Sequence, residues 1–191
     1  MGLDMYLNKC NRKAWGFKSL DIDEIKVSNP ALYKEVEPYI HQRGSERYHW
    51  ESIFEEVGYW RKANAIHKWF VDNVQNEVDD CGDYEVSKEQ LEELLETCIK
   101  VRDCSKLENG WVKNGERYEN GQWLPCVEEG EYIVNPDIAE ELLPTQGGFF
   151  FGSTSYDQWY MEDIINTIDI LTKVLETTDF DMEMIVYTSS W

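Results

Sequence analysis

The chain reads as α+β, with about four helices packed on a mainly antiparallel sheet that holds both terminal strands, plus a small β-meander. Three observations lead there. Residues 2–7, GLDMYL, alternate Leu3, Met5 and Leu7 with Asp4 and Tyr6, and residues 184–187 form a second apolar run near the other end. Segments at 56–74, 87–99 and 156–177 repeat their apolar residues at helical spacing. Asn109-Gly110, Asn114-Gly115 and Asn120-Gly121 punctuate a stretch of short runs, which is the chemistry of tight hairpin turns.

Taken in order, residues 2–7 are expected as a strand with one buried face. Ser28-Asn29-Pro30 can start a short helix in which Leu32, Tyr33 and Val36 point inward, and Pro38 ends it. Residues 41–50, HQRGSERYHW, are polar and contain Gly, so they are expected as a loop. Residues 56–74, EVGYWRKANAIHKWFVDNV, place Tyr59, Trp60, Ala63, Ile66, Phe70, Val71 and Val74 on one face if they are helical. Residues 76–83 form a turn. Its Asp79, Asp80 and Asp83 lack the Gly and Glu spacing of a calcium-binding loop.

Ser87, with Gln90 three residues on, marks a capping box ahead of Leu91, Leu94, Leu95, Cys98 and Ile99. The meander is expected over 111–134, near a sheet edge, with Asn114-Gly115 at the two-residue turn. A short helix at 137–143 stops at Pro144, and residues 149–151 read as a buried strand. Ser155 and Gln158 then cap a last helix, 156–177, whose Tyr160, Ile164, Ile168, Leu171 and Leu175 face the core. The run 184–187 returns as a strand in the same sheet as 2–7. No repeat or low-complexity tract divides the chain, so residues 1–191 are expected to be one domain.

The charge balance excludes several partners. Lys and Arg total 18 against 38 Asp and Glu, a net charge of −20. Residues 1–68 hold 11 basic and 10 acidic residues, whereas 118–172 contain no Lys or Arg. Such a surface repels duplex nucleic acid and anionic membrane, and the cations for any anionic ligand must come mainly from the first third of the chain. Five Cys without a C-x-x-C suggest neither a disulfide framework nor a zinc site, which fits a reduced cytosol. Nothing calls for a metal or cofactor. The start of the chain carries no signal-like apolar run or acylation signal. An aromatic content of 14% is compatible with homo-oligomer formation.

Two stretches are candidate sites. On a helix, Trp60, Arg61, Asn64, His67 and Lys68 are neighbours on adjacent turns, so a ring plane, an imidazole, an amide and two cations border one strip. A purine or nucleotide asks for such a set: a stacking face, an amide for a base edge and cations for phosphate. Against this, a His on an apolar face is more often a satisfied core residue. The second stretch, TQGGFFFGSTS, offers Gln146, Gly147, Gly148, Ser153 and Thr154 before a helix start, where free N–H groups suit an anion or a carbonyl. It is neither a Walker A loop nor G-x-G-x-x-G, and an ordinary capped helix start would also explain it.

The segments MGLDMYL, GYWRKANAIHKWF, LLPTQGGFFFGSTSYDQWYMEDI and the closing SSW together resemble a family of small uncharacterised proteins of bacteriophages and prophages. The resemblance implies no activity and no catalytic residue. It implies a setting, the cytosol of a host cell, where such proteins act against defence by sequestering a nucleotide signal or blocking a host protein. The leading expectation is therefore a binding protein that holds a small nucleotide-like ligand without turnover. The alternatives are an acidic inhibitor of a host protein that imitates nucleic acid, and a nucleotide-processing enzyme with His67 as base and Glu56 as its partner.

Overall fold

The computed structural model describes residues 2–45, 48–148 and 150–191. Strands β1 (Asp4–Asn11), β4 (Glu55–Arg61), β5 (Tyr84–Val86) and β8 (Glu183–Ser190) form an antiparallel sheet in the order β4-β1-β8-β5. The expected terminal strands pair directly, from Asp4 opposite Ser190 to Asn11 opposite Glu183. Helices α1 (Ile22–Ser28) and α2 (Pro30–Val36) lie on one face of this sheet, and α3 (Asn64–Asn73), α4 (Lys88–Cys104) and α6 (Gln158–Thr177) on the other. The short α5 (Asp137–Leu142) completes the α+β arrangement that the sequence predicts.

Strand periodicity sets which residue enters which core. Leu3, Met5 and Leu7 share the larger core with Ile185 and Tyr187, whereas Cys10, Met184 and Val186 point into the smaller one with Ile22, Ile25 and Val36. Both faces of β8 are covered, which is why Met184, Ile185, Val186 and Tyr187 are consecutive buried residues and do not alternate. The Phe70 ring stacks on Tyr187 at 4.0 Å and couples α3 to the sheet. The capping box ahead of α4 is present: Ser87 Oγ accepts from Gln90 N–H at 3.2 Å and Gln90 Oε1 from Ser87 N–H at 2.9 Å.

The largest correction concerns residues 56–74, whose first part is strand β4 and not helix. Glu55–Arg61 runs antiparallel to β1, Lys62 turns the chain at φ 63°, and only Asn64–Asn73 is helical. Gly58 accounts for the difference. It disfavours a helix interior, and in the strand its missing side chain admits Ile170 of α6, whose Cγ2 would lie 2.6 Å from a Cβ there.

Residues 41–50 are not an open loop: β2 (His41–Ser45) pairs with β3 (Tyr48–Ser52), and Glu46 and Arg47 lie outside the described residues. None of its described residues belongs to either apolar core, so its sequence has no apolar alternation.

The expected meander takes the form of one long hairpin, β6 (Lys106–Glu119) with β7 (Gln122–Val134). Its turn is Asn120-Gly121, at φ 50° and 85°, and not Asn114-Gly115, which sits in a bulge between Lys113 and Glu116. The later turn wins because only that register places Leu107 opposite Ile133, at the core. Helix α6 is capped by Asp157, not Ser155, through Oδ1 contacts to the N–H groups of Trp159 and Tyr160 at 3.0 and 3.2 Å. In the expected strand 149–151, Phe149 lies outside the described residues, Phe150 is an exposed turn residue and Phe151 is buried.

Gly58→Ala should therefore cost about 1–3 kcal/mol by overpacking between β4 and α6. Urea denaturation checks this, and an unchanged midpoint would show that Ile170 can step aside.

Candidate functional site

A cavity of about 770 Å³ lies where the end of β4, the first turn of α3, residues 152–155 and the first turns of α6 meet, under the bulge of the β6–β7 hairpin. Its volume is within the range of small-ligand sites. Four of the ten residues singled out from sequence line it: Arg61, Asn64, Ser153 and Thr154.

One wall is basic. Arg61 and Lys62 line the cavity, and neither makes an ion pair among the described residues. Between them and the helix, Ala63 sits at the N-cap without a capping side chain, and the first backbone bond of α3 runs from His67 N–H to the Ala63 carbonyl. The N–H groups of Ala65 and Ile66 therefore have no acceptor among the described residues, and both residues line the cavity. Uncapped N–H groups and unpaired cations favour an anion at this end.

The amide of Asn64 builds the wall beside them. Its Oδ1 accepts from Gln146 N–H at 2.9 Å, and its Nδ2 donates to the carbonyls of Phe151 at 3.2 Å and Ser153 at 2.8 Å. Gly152, at φ 97°, lets this turn settle against Lys62: a Cβ there would lie 3.2 Å from the Lys62 carbonyl oxygen.

The opposite wall, on α6, is acidic. Asp157 is only 2% exposed, and while its Oδ1 caps the helix, its Oδ2 has no partner among the described residues. Burial raises its carboxyl above the usual range, against the N–H groups of Tyr160 and Trp159, which lower it. Burial pushes the Asp163 carboxyl up to about 7, with like charge from Glu162 and Asp157 adding to the effect. Trp159 and Tyr160 give this wall its aromatic surface, and the Tyr160 hydroxyl is fixed by donating to the Leu143 carbonyl at 3.0 Å.

The other six sequence-singled residues lie elsewhere. Trp60 is a core residue of β4 whose Nε1 donates to Thr167 Oγ1 at 2.9 Å. Lys68 pairs along the helix with Asp72 at 2.7 Å. Gln146 is held by Asn64 through its backbone and does not line the cavity, nor do Gly147 and Gly148. Gly148 is small for a packing reason, since a Cβ there would meet the Phe151 ring at 2.6 Å.

His67 is fully buried, with Nδ1 2.7 Å from the Tyr187 hydroxyl and Nε2 3.0 Å from Asp79 Oδ2. Both ring nitrogens therefore have hydrogen-bond partners inside the fold. The other Asp79 oxygen accepts from Trp191 Nε1 at 3.0 Å, and Phe151 packs edge-on against both His67 and Trp191. This is a core histidine that docks Trp191. Glu56, its expected partner, instead pairs with Arg43 at 2.7 Å.

Sequence reasoning missed Lys62, Asp157, Trp159, Glu162 and Asp163. A signal for Asp163 existed: it falls beside the apolar positions 160 and 164 of α6, where a carboxylate has no packing role.

No protein-family model, curated protein or solved structure matches this chain. Among the described residues, no helix is long and apolar enough to cross a membrane.

Two outcomes test this description. The folded state holds a proton on Asp163 that the unfolded chain releases near pH 3.9. Its stabilising contribution is therefore complete below that pH and is lost as pH rises through about 7. Asp163→Asn should melt above the parent at pH 8 and with it at pH 4; an equal difference at both would refute the assignment. Trp191→Ala removes one hydrogen bond and one ring contact and should lower the melting temperature by several degrees, as calorimetry would show.

Proposed function

We propose that the protein binds a small anionic, nucleotide-like molecule in this cavity and holds it without converting it. The observation that carries the reading is electrostatic. In a chain of net charge −20, Arg61 and Lys62 are adjacent, unpaired among the described residues, and beside two uncapped N–H groups of α3. An acidic protein that gathers donors at one cavity end has a place for one anion there, and an aromatic surface at Trp159 and Tyr160 suits a base. His67, the general base on which an enzymatic reading rested, is sealed in the core. The resemblance to phage and prophage proteins supplies the setting: capture of a nucleotide defence signal in the host cytosol.

A second reading, an inhibitor that binds a host protein, draws on the β6–β7 hairpin. Trp111, Tyr118, Trp123 and Val127 share one of its faces and are all exposed, Trp111 by 69%. Such a patch on an acidic arm suits a partner with basic and apolar surface. The cavity, which an inhibitor has no need of, favours the ligand-binding reading.

The test is calorimetric titration with a panel of mononucleotides and cyclic dinucleotides, followed by recovery of the ligand after denaturation. At least one should bind and return intact. Arg61→Ala should weaken it about tenfold or more, the effect of a lost charged hydrogen bond, whereas Lys68→Ala, at a side chain already paired with Asp72, should not. Absence of binding across the panel would overturn the reading, and a chemically altered ligand would make the protein an enzyme.

A further inference from the structure

The cavity is polar in two opposite senses, and that narrows what fits it. The α3 end offers Arg61, Lys62 and backbone N–H groups; the α6 end offers the carboxylates of Asp157, Glu162 and Asp163. The start of α6 cannot serve as a second anion site, because Asp157 already caps it and carries negative charge. One acceptor at that end, Asp157 Oδ2, is buried with no donor among the described residues, and the half-buried Asp163 carboxylate lines the same wall without a hydrogen bond from a described residue. A buried acceptor without a donor is costly unless a ligand supplies one. A ligand with an anion at one end must therefore bring N–H donors at the other.

We propose that the cavity selects a guanine nucleotide, with phosphate at Arg61, Lys62 and the first turn of α3 and the N1–H and 2-amino group of the base on Asp163. This rests on the nucleotide-binding reading above. A carboxylate has two parallel acceptors, and guanine is the base that presents two adjacent donors on one edge, so the pair is bidentate in the manner of Arg with carboxylate. Adenine and cytosine place a ring-nitrogen acceptor beside their amino group, and hypoxanthine keeps N1–H but lacks the amino group, so each meets the carboxylate with one donor. Trp159 lines the same wall and supplies a surface for the purine plane.

Because burial holds Asp163 near neutrality, binding through an ionised carboxylate draws a proton off it and tightens as pH rises through about 7. The charged and titratable groups that share the cavity with Asp163 are Asp157, Tyr160 and Glu162 from its own helix, Arg61 and Lys62 from the end of β4, and Lys113 and Glu116, paired at 2.7 Å, from the hairpin bulge.

The experiment is titration calorimetry of the whole chain with 5′-GMP, 5′-IMP and 5′-AMP at pH 8 and pH 6. GMP should bind about tenfold or more tightly than IMP or AMP at pH 8. The GMP to IMP ratio should shrink at pH 6, a comparison that cancels the titration of the phosphate. Asp163→Asn replaces one acceptor with a donor and should bring GMP down to the level of IMP while melting no lower than the parent at pH 8. If GMP and IMP bind within twofold of each other, or the Asn variant keeps the preference, the guanine assignment is overturned and the nucleotide-binding reading stands. If no nucleotide binds, that reading falls and this one with it.

Discussion

The side chain of Asn64 is buried, accepts one backbone N–H and donates to two backbone carbonyls, and the cavity wall depends on those three bonds. Gln146, Phe151 and Ser153 belong to a connection that leaves α5 and enters α6, with no strand among its described residues to order it. Each bond is worth about 1 kcal/mol net, and the three together set the path of the loop. Through this amide the turn at Gly152 lies against Lys62, Ser153 and Thr154 face the cavity, and Phe151 reaches the core beside His67. The Phe151 carbonyl left unpaired would be a buried acceptor, so the loop has little freedom to take another path there.

The sequence was most legible where one physical signal acted alone. Alternation in 2–7 identified β1, the capping box identified the start of α4, and the apolar period of 156–177 identified α6. It misled where two signals overlapped. In 56–74 the helical spacing from Asn64 onward extends by chance into Tyr59 and Trp60, and Gly58 is the contrary sign, a residue unfavourable inside a helix. Two Asn-Gly pairs competed for one turn, and only the long-range pairing of Leu107 with Ile133 decided between them.

The candidate site was legible in half. Arg61 and Asn64, singled out from sequence, both line the cavity although the helix assigned to them was partly wrong, because both lie next to the junction of β4 and α3. Its acidic side was not legible: the burial of Asp157 without a partner for Oδ2 among the described residues is not written in local spacing, and Asp163 was marked only by its place beside Tyr160 and Ile164 on α6. His67 shows the reverse case. Its chemistry looked functional in sequence, and its three-dimensional partners, Tyr187 and Asp79, make it part of the packing.

The direct pairing of β1 with β8 has a consequence for how the chain is made. Contacts such as Asp4 with Ser190 give the sheet a high contact order, and the loop-closure entropy they require is lost before their packing is gained. During translation β4 can add to β1 as soon as it emerges, but the other edge of β1 stays open until β8 arrives. Until then Leu3, Met5 and Leu7 lack their partners Ile185 and Tyr187, and an unpaired strand edge is exposed to other chains. The central layer can therefore close only after nearly all of these residues have been synthesised.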